Sequence, residues 1–236
     1  MLPSRILLEM LLIFMSFFLP GYLLQTGAAS AGPLSTLTML QVIVTGLPQF
    51  LLMAYIAGVS SPSPSGRWGL VPLKARDALR TALLLLGCFA VVAPFVALVL
   101  SLPPSWSRPL ASGYRWSLQS PAQIPLAILF GLTAGYREEF FFRSYLLGRL
   151  GELGAPLPLA AVLSTALFAM GHVYEGPMGI AIAAALGTLL CLAYMRRPNL
   201  HVVAIAHGLY NAIVLCLSFA ISRALPAAQV MRIFSP

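Results

Sequence analysis

An all-α, polytopic integral membrane protein with about seven transmembrane helices is the fold class that this sequence predicts. Of its 236 residues, 59% are hydrophobic and only 8% are charged, against roughly 25% charged residues in ordinary soluble domains. The apolar residues form runs of about 20, which is the length that a helix needs to cross a bilayer. Spanning runs are predicted at residues 5–25, 36–59, 79–102, 121–149, 157–173, 177–195 and 200–221.

The first run has two interpretations. Arg5, the apolar residues after it and the small residues "GAASA" (27–31) are compatible with a cleaved secretory signal. Glu9, however, interrupts the apolar region, and the run is long enough to cross a bilayer. We therefore expect an uncleaved first helix.

The net charge of +8 comes from basic residues that are scattered singly between the apolar runs. Nucleic-acid binding is not expected, because it needs a clustered basic surface. An orientation with the N-terminus inside puts eight basic residues on the inner side, Arg149 among them, and four on the outer side. The stretch 67–80, with Trp68 and four basic residues, is predicted to lie at the inner membrane interface.

The three cysteines lie inside apolar runs without CxxC spacing. Neither a disulfide framework nor a thiolate metal site is expected from Cys88, Cys191 and Cys216.

The fourth run contains four charged residues: Arg137, Glu138, Glu139 and Arg143. Each costs about 2.5–3.5 kcal/mol near the centre of a membrane helix, so such residues mark a functional site by default. Glu139 is placed for an ion pair with Arg143, four positions later. Glu138 points about 100° away, towards phenylalanines. A carboxylate left unpaired among apolar side chains is a candidate general base.

Two histidines and an asparagine are predicted to reach the same depth. His207 and Asn211 stand four apart on one face of the last helix, and His172 ends the run 157–173. Taken singly, each could be an interhelical hydrogen-bonding residue. Together with an unpaired glutamate they indicate a catalytic site. His201, beside Arg196 and Arg197, needs only an interfacial role, and Glu175 is read as a solvated loop acid or, alternatively, as a residue that orients His172.

These residues match a known family in order and spacing. "EEFFFR" (138–143) fits EExxxR, "FAMGH" (168–172) fits FxxxH, and "HGLYN" (207–211) fits HxxxN. The chain therefore resembles the CPBP intramembrane proteases, which include the type II CAAX prenyl endopeptidases, and in particular their bacterial branch. The resemblance implies a catalytic core at 121–221, preceded by more weakly matched helices and loops (1–120) and followed by a short tail (222–236).

The resemblance also implies a mechanism. Glu138 would activate a water molecule with His172, while His207 and Asn211 would stabilise the oxyanion. The supporting residues would be Glu139, Arg143 and Phe168. No cofactor is expected to be required, although a zinc ion held by Glu138, His172 and His207 is the alternative.

An intramembrane endopeptidase acting on a membrane-associated protein or peptide is the leading hypothesis. A non-catalytic scaffold or bacteriocin-immunity protein could use the same polar cavity for binding, and a proton-coupled transporter is a third reading. The expected partners are membrane lipid and a peptide or lipidated protein, in a bacterial cytoplasmic membrane. Neither the substrate nor the oligomeric state follows from the sequence.

Overall fold

The structure is a computed structural model, and it describes residues 2–24, 34–60, 68–103, 105–107 and 117–224. Throughout these ranges the regular secondary structure is helical, as predicted, and contains no strand. The helices are α1 (Pro3–Phe17), α2 (Leu19–Leu24), α3 (Thr36–Ser60), α4 (Ala75–Ser101), α5 (Ile124–Glu139), α6 (Leu146–Glu152), α7 (Leu157–Met170), α8 (Gly176–Arg196) and α9 (Leu200–Ala224). A π-helical segment, Phe140–Tyr145, joins α5 to α6, and 3-10 turns at Pro121–Gln123 and Val173–Glu175 precede α5 and α8.

Four helical segments in the described ranges are long and apolar enough to cross a membrane: Thr36–Ser60, Ala75–Ser101, Val173–Arg196 and Leu200–Ala224. The predicted count of about seven spans is not confirmed. The first run is divided at Phe18 into helices of 15 and 6 residues, the fourth run is interrupted by charge and by the π-helical segment, and α7 has only 14 residues. At 1.5 Å per residue, α7 is about 21 Å long, which is shorter than a typical hydrocarbon core.

Several predicted loops fall partly or wholly outside the described residues. These are the small-residue stretch 27–31, the turn at 60–66, the outer loop at 101–121 and most of the tail that follows residue 222.

Glycines bring α5 and α9 into backbone contact. A Cβ atom added to Gly135 would lie 2.5 Å from the carbonyl oxygen of Ala204, and one added to Gly208 would lie 2.8 Å from that of Gly131. Small residues spaced four apart allow this close approach between membrane helices. The contact places the end of α5, which carries Glu139, against the part of α9 that carries His207.

Aromatic rings fill the space between α1, the π-helical segment and α7. The ring centroids of Phe18 and Phe141 are 4.2 Å apart in a stacked arrangement, and those of Phe142 and Phe168 are 5.4 Å apart, edge to face. The phenylalanines of "EEFFFR" are fully buried. They form the apolar wall behind the two glutamates, as their sequence suggested.

Arg149, which the predicted orientation places on the inner side, is a buried residue. Its guanidinium is fully enclosed and donates from Nη2 to Glu9 Oε1 at 2.7 Å and from Nη1 to Glu152 Oε2 at 2.9 Å. It also donates to the hydroxyl of Ser60. A charge near the end of an apolar run can lie in a loop or find a counter-ion inside the bundle, and here Glu9 of α1 supplies that counter-ion.

Trp68 likewise lies in the core, where a membrane interface had been predicted. Only 1% of its surface is exposed. Its ring is stacked 6.1 Å from Tyr145 and faces the Arg149 guanidinium at 5.2 Å, and its carbonyl accepts a 2.6 Å hydrogen bond from Ser144. The segment that contains Trp68 therefore packs onto the π-helical segment and α6.

Candidate active site

Glu139 is the buried centre of the polar cluster. None of its surface is exposed, and its two carboxylate oxygens face two different partners. Oε2 lies 3.2 Å from Nε of Arg143, which is the ion pair expected from their spacing. Oε1 accepts a 2.8 Å hydrogen bond from Nδ1 of His207. Sequence reasoning did not predict this second bond, because it joins residues 68 positions apart.

The π-helical segment begins at the residue immediately after Glu139. A π-helical turn is wider than an α-helical one, and such segments often occur at functional sites. The carbonyl oxygen of Phe142 accepts a 2.6 Å hydrogen bond from the hydroxyl of Ser164 on α7. This bond ties the irregular turn to α7, and no motif used in the sequence analysis predicted it.

Arg143 lies between Glu139 and an aromatic ring. Its Cζ atom is 4.3 Å from the centroid of Phe168, and Nη2 donates to the carbonyl of Gly187 at 3.4 Å. A cation over an aromatic face gains about 0.5–2 kcal/mol, with the larger values when it is desolvated. Gly187 permits this packing, since a Cβ atom there would be 3.0 Å from the Phe168 ring. Phe168 therefore supports the site through Arg143.

Glu138 differs from Glu139 in both burial and partners. It is half-buried, and within the described residues it makes no hydrogen bond or ion pair. Its charge is nevertheless close enough to act on the imidazole of His207 and on the hydroxyl of Tyr22. A carboxylate that is near the cluster, reachable from outside and not engaged by a cation is the arrangement that a general base requires.

His172 lies just beyond α7, which ends three residues earlier than the predicted run. Its Nδ1 is 2.8 Å from the carbonyl oxygen of Phe168. Because a carbonyl can only accept, Nδ1 carries the proton and Nε2 of the neutral ring has a free lone pair. The centroid of the Phe168 ring is 4.7 Å from that of His172 and 5.7 Å from that of His207. One phenylalanine thus separates the two imidazoles.

His207 is held in a defined orientation by Glu139. Nδ1 donates to the carboxylate in either charge state, so Nε2 is the nitrogen left for chemistry. The negative charge of Glu139 favours the protonated ring, in which Nε2 is a donor. Asn211 follows one turn later on α9, half-buried and with no side-chain hydrogen bond in the described part of the chain. Both side chains therefore have donors available for a developing negative charge.

Two other residues stand apart from this cluster. His201 Nδ1 is 2.9 Å from the hydroxyl of Tyr136, consistent with its omission from the predicted site. Glu175 is half-buried in the 3-10 turn before α8 and makes no hydrogen bond to His172 within the described part of the chain. The backbone carbonyl of Phe168 holds the ring of His172, which leaves the suggested orienting role of Glu175 without support.

The zinc alternative has no geometric support. Among the described residues, no three His, Cys, Asp or Glu side chains are grouped so that they could hold a metal ion. Glu138, His172 and His207, the set suggested for zinc, are accordingly not gathered around one point in the described residues.

The fold and this cluster define an integral membrane protein with a glutamate–histidine centre in a helical core. Residues 120–213 match the family model described as type II CAAX prenyl endopeptidase Rce1-like, and this range contains every predicted site residue from Glu138 to Asn211. The match covers this part of the chain only, and it agrees with the family that the motifs indicated. No curated protein and no solved structure matches the chain.

Proposed function

We propose that this protein is an intramembrane endopeptidase that hydrolyses a peptide bond in a membrane-associated protein or peptide. The contrast between the two adjacent glutamates carries the proposal. Glu139 is fully buried and has a cationic or donor partner at each oxygen, whereas Glu138 is half-buried and unpaired in the described residues. The first is suited to holding the site together, and the second to taking a proton from water.

In the proposed reaction, Glu138 removes a proton from a water molecule as the water oxygen attacks the substrate carbonyl. His172 assists by accepting the water's other hydrogen bond at Nε2, the nitrogen that the Phe168 carbonyl leaves free. A base positioned in this way contributes typically 10²–10⁴-fold to a rate. Glu138 then passes the proton to the leaving amine as the carbon–nitrogen bond breaks.

The negative charge that develops on the substrate carbonyl needs donors fixed in advance. Nε2–H of a protonated His207 and the amide of Asn211 supply them from adjacent turns of α9. Removing one such donor typically costs 10²–10³-fold in kcat. The bond from His207 to Glu139 keeps the ring oriented and favours its protonated form, so Glu139 contributes to oxyanion stabilisation through His207.

The proposed substrate is a membrane-associated peptide, lipidated or not, cleaved within the membrane-embedded core of the protein. The same proposal places the protein in a bacterial cytoplasmic membrane with its N-terminus inside. It also divides the chain into a catalytic core at 121–221 and flanking segments. Catalysis without a metal cofactor is part of the proposal, with Glu138 and His172 acting on the water and His207 and Asn211 acting on the oxyanion.

The test compares peptides from membranes that contain the wild-type protein, Glu138→Ala or a Glu175→Gln control. Peptides that appear with wild type and the control, and disappear with Glu138→Ala at equal protein level, are the expected result. Cleavage retained by Glu138→Ala would overturn the assignment of the base.

The same experiment tests the binding alternative. A scaffold or immunity protein would keep its binding or protective phenotype in Glu138→Gln, because the shape of the cavity and most of its hydrogen bonds survive. A peptidase would lose the phenotype together with cleavage. Metal analysis of the purified, active protein completes the test: stoichiometric zinc whose removal abolishes cleavage would contradict the metal-free mechanism.

A further inference from the structure

The N-terminal helices place a hydroxyl group at the end of α7, next to the proposed site. Tyr22 of α2 donates from its hydroxyl to the carbonyl oxygen of Leu167 at 2.6 Å. A Cβ atom added to Gly171 would lie 3.2 Å from the same hydroxyl, so the tyrosine packs directly on the turn that leads to His172. The contact joins residues 145 positions apart, and Tyr22 lies outside the segment that matches the family model.

This turn determines the orientation of His172. The backbone amide of Gly171 donates to Leu167 O at 3.1 Å, and the ring of His172 bonds to Phe168 O. The carbonyl oxygen of Leu167 has two lone pairs, so it can accept a second donor besides the Gly171 amide, and that donor stabilises the turn. Tyr22 donates to the carbonyl of Leu167, and the next carbonyl along the chain, that of Phe168, holds the imidazole of His172.

Tyr22 is also close to the second catalytic group. The charge of Glu138 is near enough to act on the tyrosine hydroxyl, and so is that of Arg137. The ring of Tyr22 is fixed by an edge-to-face contact with Phe14, whose centroid is 5.4 Å away. Tyr22 is therefore held in place from α1 and lies within the electrostatic reach of Glu138 and against the turn that carries His172.

We propose that Tyr22 is a positioning residue for the hydrolysis described above: its hydroxyl fixes the end of α7 so that Nε2 of His172 and the carboxylate of Glu138 hold the same water. The inference rests on the proposed function. It assigns a role at the active site to a part of the chain that carries none of the family motifs.

Tyr22→Phe, which keeps the ring and removes only the hydroxyl, is the direct test. Its kcat on a fluorescent reporter, built from a peptide found in the membrane comparison, should fall about tenfold, as the loss of one neutral hydrogen bond would produce. KM should remain at its wild-type value, and Tm should fall by no more than about 2–4 °C, because one hydrogen bond is lost while the aromatic packing is unchanged. Tyr55→Phe is the matched control, since Tyr55 is 67% exposed on α3.

Wild-type kcat in Tyr22→Phe would overturn the proposal. An equal loss in Tyr55→Phe, or a fall in kcat accompanied by a fall in Tm much larger than about 4 °C, would also overturn it, because either result indicates a general effect on folding. These outcomes differ from failure of the proposed function, in which Glu138→Ala would still cleave.

A second measurement does not depend on cleavage. Hydrogen exchange in the wild-type protein and in Tyr22→Phe should show about tenfold faster exchange at the amides of Gly171 and His172 in the variant, with α9 unchanged. Identical exchange at the end of α7 would show that the hydroxyl does not hold this turn, and the inference would be wrong.

Discussion

Oε1 of Glu139 and Nδ1 of His207 are 2.8 Å apart, and this bond connects the two halves of the cluster. On one side Glu139 neutralises Arg143, and on the other it orients the imidazole that faces the site. One carboxylate therefore has a structural and an electrostatic role at the same time.

Glu139→Gln should lower both stability and activity. Removing one partner of a buried ion pair typically costs about 3–5 kcal/mol, because the remaining charge is left uncompensated. Arg143 would be that charge, since none of its surface is exposed. The fraction of folded protein after purification and the Tm in detergent measure the effect. A variant with normal stability and no activity would show that the Arg143 pair is dispensable.

Gly135→Ala should push α5 away from α9. The new methyl group would lie 2.5 Å from a backbone oxygen of α9, which no side-chain rotation can relieve. Overpacking of this kind costs about 1–3 kcal/mol, and the Glu139–His207 distance should increase with it. Gly58→Ala is the control, since a Cβ atom there meets nothing within 4 Å. Equal Tm and activity in the two variants would contradict the proposed contact.

Phe168→Leu should reduce activity more than stability. The leucine retains most of the apolar volume but removes the ring that lies against Arg143 and between the two imidazoles. Loss of a desolvated cation–π contact is worth about 2 kcal/mol. The kcat of the reporter assay, compared with Tm, tests this expectation. A fall in Tm with unchanged kcat would assign the ring to packing alone.

The Glu9–Arg149 contact predicts a double-mutant cycle with a positive coupling. Glu9→Gln leaves Arg149 with fewer counter-charges, and Arg149→Met leaves Glu9 and Glu152 without their shared cation. The destabilisation of the double variant should therefore be smaller than the sum of the two single destabilisations by roughly 0.5–3 kcal/mol. Tm values for the four proteins provide the measurement. Strict additivity would show that the two residues do not interact energetically.

Much of the site was predictable because it is encoded in short-range spacing. The pairing of Glu139 with Arg143 follows from positions four apart, and the separation of Glu138 from that pair follows from helical rotation. The all-helical fold follows equally from the lengths of the apolar runs. In each case neighbouring residues in the sequence determine the structure.

What could not be predicted depends on contacts between distant segments. Nothing near His207 indicates that its Nδ1 bonds to Glu139, and nothing near Tyr22 indicates its contact with α7. The close contact between α5 and α9 could have been predicted from Gly131 and Gly135, which are four positions apart. The sequence analysis did not interpret this spacing. The count of about seven spans is not confirmed, since hydropathy alone does not reveal the break at Phe18 or the π-helical turn.

The Glu9–Arg149 bond also has a consequence for how the protein is made. Because the two residues are 140 positions apart, Glu9 is synthesised long before the cation that neutralises it exists. A carboxylate near the centre of a membrane helix costs about 2.5–3.5 kcal/mol. The nascent first helix therefore carries an uncompensated carboxylate until Arg149 of α6 has been synthesised. The ion pair that fixes the first helix to the bundle can therefore form only after Arg149 has been synthesised.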